Sequence, residues 1–264
     1  SFQVMRLWRD AFLPDEFAYG YVDEGHRGYA TTYKPTIDYF NFAHLAGFTA
    51  TPDRMDIKDI RDIFGEESYS LPLEKAIARR LLAAVDYYVY MDEIAETGLV
   101  IDIEGNEYST GQLNKTIYVP KRDEEIADII KDKGAELDDR KTIIFCRSVE
   151  HALRMAELFN DGVAWHSLMS RKMQKDVLAG FKANEFGTLV TIDKANEGID
   201  IPNTTQVVFL RETGSKRIFL QELGRGLRKT KGGYEDGVKI KPKQRVQALD
   251  FVGNHDRLMM VDRV

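Results

Sequence analysis

Cysteine is almost missing. Cys146 is the single thiol in 264 residues, so the chain can form neither an intramolecular disulfide nor a cysteine-rich zinc site, and a reducing compartment, the cytoplasm, is expected. Long apolar runs are missing too. The most apolar stretch, LLAAVDYYVYM, is short and carries Asp86, whereas a membrane-spanning helix needs about 20 such residues. The first residues, SFQVMRLWRD, lack the layout of a secretory leader, and the lack of an initial Met points to a fragment or a processed product. An excess of positive charge is also absent. The formal net charge is −6, which argues against a uniformly basic nucleic-acid binder but leaves room for a local basic patch. Internal repeats and low-complexity tracts are absent as well.

What is present is a balanced composition, 43% hydrophobic and 30% charged, enough to bury the core of one large domain or two smaller ones. Short apolar runs alternate with helical periodicity, which predicts an α/β fold with a largely parallel sheet. FAYGYVDE (17–24) reads as a buried strand ending in acids, KPTIDYFN (34–41) as a helix with Pro in its first turn, and HLAGFTATP (44–52) as a second strand. Helical spacing follows over 56–65, stopping at Gly65, and over 72–85, with a strand at 86–91. Residues 96–116 fit either a hairpin or a flexible insertion. Beyond them the rhythm is regular, with helices over 122–134, 148–160, 170–184 and 215–229, and strands over 141–146, 162–167, 187–193, 205–211 and 245–252.

Three segments carry chemistry. Asp23 and Glu24 end the first strand, where ligands bind in open α/β sheets. An acid there suits Mg²⁺, which prefers oxygen ligands and keeps much of its water, and a neighbouring Glu can activate an attacking water. The same pair also serves simply to end a strand at the surface. In QELGRGLR (221–228), Arg225 and Arg228 share a helix face; they suit charge developing on a transferring phosphoryl group, or else form a solvated basic face. In TIDKANEGIDIP (191–202), a strand runs into a turn where Gly198 allows close approach of the backbone to a phosphate or sugar, or it is an ordinary strand-to-turn junction.

Taken in order, VDEGH, GFTATP, IIFCRS, AWHS, TIDKANEGIDIP and QELGRGLRK resemble the later motifs of superfamily 2 helicases and translocases, over residues 17–264. VDEGH resembles the DExH box, TATP motif III, IIFCRS motif IV, TIDKANEGIDIP motif V and QELGRGLR motif VI. GFTATPDR and ALDFVGNHDRL (248–258) bring the chain nearest to the DEAH-type branch that includes restriction-enzyme motor subunits.

The resemblance implies RecA-like parallel sheets with helices on both faces, and ATP with Mg²⁺ bound between two such domains. Residues 1–56 would end the first domain, 57–120 would connect, and 121–264 would form the second domain. It also implies site roles. Asp23 would engage Mg²⁺ through water and Glu24 would be the base. His26, Thr49 and Thr51 would couple nucleotide to nucleic acid. Gln221, Arg225 and Arg228 would face the phosphates, with Gly198 and Asp200 near the nucleotide. Thr191, Arg147, His166 and Ser167 would touch the nucleic-acid strand, for which duplex DNA is expected. His166 and Arg147 also suit plain roles, a strand-end histidine and a helix-capping arginine. Residues 214–245 hold ten Lys or Arg against three acids, which fits backbone contacts to nucleic acid or a solvated loop.

Two departures stand out. The phosphate-binding loop G-x-x-x-x-G-K-[ST] does not occur in the sequence; without it no nest of backbone N–H groups and no lysine cradle the β- and γ-phosphates. The chain is thus expected to be a C-terminal piece of a larger motor, partnered by the segment bearing that loop and by nuclease or other subunits. A non-catalytic nucleic-acid- or partner-binding fragment is the alternative. The second departure is Gly25, where the motif usually carries Ala.

Overall fold

A computed structural model describes residues 2–49, 59–90, 120–192, 201, 203–213, 216–235 and 238–254. The chain divides into two compact units, Ser1–Pro72 and Leu73–Val264.

The first unit opens with helix α1 (Phe2–Trp8). Strands β1 (Tyr19–Asp23) and β2 (His44–Phe48) then pair in parallel, with Tyr19 opposite His44 and Asp23 opposite Phe48. The connection between them carries α2 (Lys34–Ile37), a single turn with Pro35 at its start, shorter than the helix expected over 34–41. β1 is not wholly buried as expected. Side chains alternate across a strand, so Gly20 and Val22 are buried while Tyr19 and Tyr21 are 63% and 69% exposed. The exposed face is aromatic: Tyr19 stacks on His44 at 5.3 Å and Tyr21 lies 6.2 Å from Phe48. Helix α3 (Arg61–Phe64) stops at Gly65, whose φ of 77° suits glycine. The first part of the helix expected over 56–65 lies outside the described residues.

The second unit is built on a six-stranded parallel sheet in the order β3-β10-β7-β4-β6-β5. Its strands are β3 (Ala84–Val89), β4 (Thr142–Phe145), β5 (Gly162–Trp165), β6 (Thr188–Thr191), β7 (Gln206–Phe209) and β10 (Arg245–Asp250). Every residue of β4, β6 and β7 is buried. This is why KTIIFC and GTLVTID show no alternation, since a sheet covered on both faces needs apolar groups on both.

Helices α5 (Pro120–Ala135) and α6 (Val149–Glu157) cover one face, packing Ile126, Ile130 and Met155 against Ile144, Val190 and Val208. Helices α7 (Arg171–Lys182) and α8 (Lys216–Leu227) cover the other, packing Phe181, Phe219 and Leu223 against Ile143, Leu189 and Phe209. Serines cap two of these helices. Ser148 Oγ accepts from the His151 N–H at 3.1 Å, and Ser170 Oγ from the Met173 N–H at 3.2 Å, each supplying an acceptor for an otherwise orphan amide.

Two segments depart from the sequence reading. The helix expected over 72–85 is α4 (Leu73–Ala78), broken where Arg80 adopts φ 57°. β3 begins at Ala84 because it is in register with β10 from Arg245 onward. KTKGGYEDGVKIKPK, for which a solvated loop is one of two sequence readings, contains the antiparallel hairpin β8 (Thr230–Glu235) and β9 (Val238–Lys243). The segment 96–116 lies outside the described residues. Among the described residues no helix is long and apolar enough to cross a membrane.

Chain order makes β4 and β7 a switch point. From β4 the chain leaves through α6 toward β5, and from β7 it leaves through α8 toward β10. Adjacent strands whose connections part in opposite directions open a crevice at their carboxyl ends. That crevice lies beside Arg147 and Arg211.

Candidate functional site

In the first unit, the parallel register brings the carboxyl ends of β1 and β2 together. Asp23 ends β1, and its Oδ1 accepts the Glu24 N–H at 2.9 Å. Glu24 itself adopts φ 54° and ψ 48°, a left-handed conformation that costs a non-glycine residue roughly 1–2 kcal/mol and collects at functional positions. The bend turns the chain into a 3-10 turn, Gly25–Arg27. His26, whose side chain is 3% exposed, places Nδ1 3.0 Å from Thr49 Oγ1 and 3.3 Å from Glu24 Oε2. One imidazole nitrogen thus stands between the acid after β1 and the hydroxyl after β2.

Gly25 has a local reason to be glycine: a Cβ there would come 3.2 Å from the Gly47 Cα. Thr51 lies outside the described residues. Asp23 is exposed and Glu24 partly so. Among the described residues no group of three or more His, Cys, Asp or Glu is gathered as a metal cage. One or two carboxylates beside solvent suit Mg²⁺, which keeps its waters and completes its shell with phosphate.

In the second unit, α8 carries Gln221 and Arg225, and Arg228 follows one residue after the helix. Gln221 and Arg225 are partly exposed and Arg228 is exposed. Between them Glu222, 0% exposed, accepts from Arg211 Nη2 at 2.5 Å. That pair ties α8 to the end of β7. Asn254 holds the same loop, donating Nδ2 to the Arg211 carbonyl and accepting the Thr213 N–H, both at 3.0 Å. Gly226 lies against the sheet; a Cβ there would come within 2.6 Å of Val246 Cγ2 and 2.8 Å of Val207 Cγ2. Sequence reasoning missed Arg211 and Asn254. Neither falls in a periodic pattern, and only the folded loop shows what they hold.

The other expected residues divide. Arg147 follows β4 and is partly exposed, at the crevice between β4 and β7. His166 and Ser167 follow β5. Ser167 is exposed, and the buried His166 Nδ1 has no hydrogen-bond partner among the described residues beside an open groove of about 580 Å³ lined by Leu153, Leu168 and Met173. Thr191 departs from expectation. It is 0% exposed, and its hydroxyl donates to the Trp165 carbonyl at 3.0 Å, so it bonds β6 to β5 instead of presenting a hydroxyl to a nucleic-acid strand. Gly198 and Asp200 lie outside the described residues.

Cys146 is a core residue, as its strand-end position suggested, and burial pushes its thiol well above the usual range. Lys141, at the other end of β4, is buried over the Phe181 ring, 4.6 Å from its centroid, with Asn184 Oδ1 as acceptor. Desolvation pulls its ammonium down to about 8.

A six-stranded parallel sheet between two helical layers, with an arginine-bearing helix on one of them, defines a RecA-like helicase C-terminal domain. The helicase conserved C-terminal domain family matches residues 121–230, and the family of the type III restriction enzyme res subunit matches residues 3–54. The chain thus resembles the helicases of superfamily 2, in a restriction-subunit segment followed by a helicase C-terminal domain.

It is 28% identical over 212 residues to a 51.5 kDa protein of a Lactococcus phage, covering 78% of this chain and 45% of that one. It is 27% identical over 245 residues to the type I restriction enzyme EcoAI endonuclease subunit of Escherichia coli, covering 81% and 30%. Among solved structures, a fragment assigned as an HsdR subunit of a type I restriction enzyme from Vibrio vulnificus YJ016 superposes with a TM-score of 0.71 at 26% identity, over 97% of this chain and 47% of that one. The chain therefore spans less than half the length of these relatives.

Proposed function

We propose that this chain is part of an ATP-dependent motor that moves along duplex DNA in the manner of restriction-enzyme motor subunits, working in the cytoplasm. The observation that carries the reading is the strand-end pair Asp23 and Glu24, with the base in a strained backbone conformation and its carboxylate beside a buried His26 that also meets Thr49. The relatives supply the restriction context. Glu24 would serve the nucleotide from the first unit, and Arg225 and Arg228 would serve it from the second. The end of a first RecA-like domain would lie in residues 1–56; the second, expected over 121–264, also takes α4 and β3 from the segment 57–120 that was expected only to connect, because β3 pairs with β10.

In this reading Glu24 takes a proton from a water as the water oxygen attacks the γ-phosphorus, and the bond to the β-γ bridging oxygen breaks to release ADP. Arg225 and Arg228 donate to the oxygens on which charge spreads, with Gln221 beside them. Asp23 would hold Mg²⁺ through water, and the ion would neutralise phosphate charge. His26 would relay the state of Glu24 to Thr49 and Thr51. Gly198 and Asp200 would lie along the nucleotide. Arg147, His166 and Ser167 would lie along the DNA backbone, where contacts position the strand without reading its sequence.

The chain has no phosphate-binding loop, so that segment is the first partner implied, and nuclease or other subunits are the next. The 264 residues alone are expected to turn over ATP poorly or not at all; DNA-stimulated turnover by the chain by itself would refute this. With the loop supplied, Glu24→Gln should abolish turnover while leaving ATP bound, and persisting turnover would remove Glu24 from its role. Arg225→Ala should cut turnover by about 10³-fold or more, and an unchanged rate would end the finger assignment. The same missing loop favours a second reading, a binding fragment that has lost catalysis. DNA binding without turnover in the presence of the loop segment would decide for it.

A further inference from the structure

The last carbonyls of a helix have no partner within it. In α8 two of them are met from outside. The Ala83 N–H donates to the Leu227 carbonyl at 2.8 Å, and the Lys243 ammonium donates to the Gly226 carbonyl at 2.8 Å and to the Thr204 carbonyl at 2.7 Å. Lys243 is only 5% exposed. A buried ammonium is costly unless it is hydrogen-bonded, and here its acceptors are a carbonyl at the negative end of a helix and another just before β7.

The contact explains the hairpin. After α8 the chain runs out along β8, returns along β9, and delivers Lys243 back to the helix it left, 17 residues beyond Gly226. The clamp closes on a turn with no slack, since Gly226 is pressed on Val246 and Val207. The Gly226 carbonyl lies between Arg225 and Arg228 in the chain. Lys241, two residues before, is exposed and reaches the Asp138 carbonyl at 2.9 Å. The run KIKPK thus gives no sign that its last lysine faces inward.

We propose that Lys243 is a positioning residue for Arg225 and Arg228. Its ammonium fixes the final turn of α8 to the lead-in of β7, and so sets where the two guanidiniums project. The functional half of this inference rests on the phosphate-facing role given to those arginines above. Lys243 does not touch the phosphates; it acts through the helix end.

The first test is amide hydrogen exchange on the 264-residue chain with Lys243→Met, which keeps the stem and removes the donors. Amides of the last turn of α8, residues 224–227, should exchange about ten-fold faster or more, while those of β4 and β6 keep their protection. Wild-type exchange in that turn would overturn the proposal. So would an equal loss of protection throughout the second unit, the mark of a residue that merely stabilises. The second test is a double-mutant cycle in ATP turnover with the phosphate-loop segment supplied. If Lys243 acts through Arg225, Lys243→Met should lower kcat about ten-fold with the ATP KM within about three-fold, and should add little on top of Arg225→Ala. Multiplying effects would overturn it. If Arg225→Ala and Arg228→Ala both leave turnover unchanged, the arginine-finger reading fails, and the exchange result alone decides whether Lys243 clamps the helix.

Discussion

Glu24 shows how a single residue can be held against its own preference. Its left-handed backbone is unfavourable for any side chain with a Cβ, so Glu24→Gly should raise the stability of the first unit by about 1 kcal/mol. The same change removes the carboxylate and with it any turnover that depends on Glu24. Chemical denaturation followed by tyrosine fluorescence, beside an ATPase assay with the loop segment supplied, checks both. A stability that falls would mean that the bonds around the carboxylate outweigh the strain.

Lys141 makes a second residue-scale prediction. Its folded value of about 8 lies below the ordinary lysine value of 10.5, so between these two pH values the unfolded chain binds more protons. Stability contributed by this group therefore rises as pH increases from about 8 toward 10.5. Comparing the urea midpoint of the wild-type chain with that of Lys141→Met across this range isolates the effect: the wild type should gain relative to the variant as pH rises. A constant difference would show that Lys141 keeps its ordinary affinity for protons.

At the scale of elements, the last turn of α8 tolerates little. Gly226→Ala would drive a methyl into Val246 and Val207 and should cost about 1–3 kcal/mol, lowering turnover as Arg225 and Arg228 shift. Val246→Ala should recover part of both losses, and a double-mutant cycle on thermal stability reads the coupling directly. Elements with strong local signals were legible in the sequence. Ser148 announced α6, and the alternation of short apolar runs with helical periodicity announced a largely parallel sheet. VDEGH and QELGRGLR gave the candidate site its acids and arginines. Elements made by distant partners were not legible. β3 takes over residues that read as helix because β10 lies beside it, and the β8–β9 hairpin hides in a lysine- and glycine-rich run without apolar alternation. Thr191 looked like a site residue because it ends a strand in a motif, yet its hydroxyl is spent on Trp165.

On the scale of the whole molecule, the two units are unequal. Both extensive hydrophobic clusters among the described residues belong to the second unit, while the first has a two-stranded sheet with few buried apolar side chains, among them Val22, Ile37 and Phe40. A sheet of two strands is marginal by itself. Limited proteolysis should therefore remove residues 1–72 first and leave a resistant 73–264 core, with amides of 19–48 exchanging faster than those of β4, β6 and β7. Equal protection in both units would contradict this.

The strand order has one more consequence, for the moment of synthesis. β3 is made before the other described strands of its sheet, and its sheet neighbour among the described residues is β10, made after all of them. As the polypeptide leaves the ribosome, the pairing of β3 with β10 must wait until residue 250 has emerged, and the late-arriving strand must then slot between β3 and β7. An early strand that waits so long is exposed to wrong pairing. This makes β3 the segment where slowed translation or a chaperone would have most effect on the yield of folded protein.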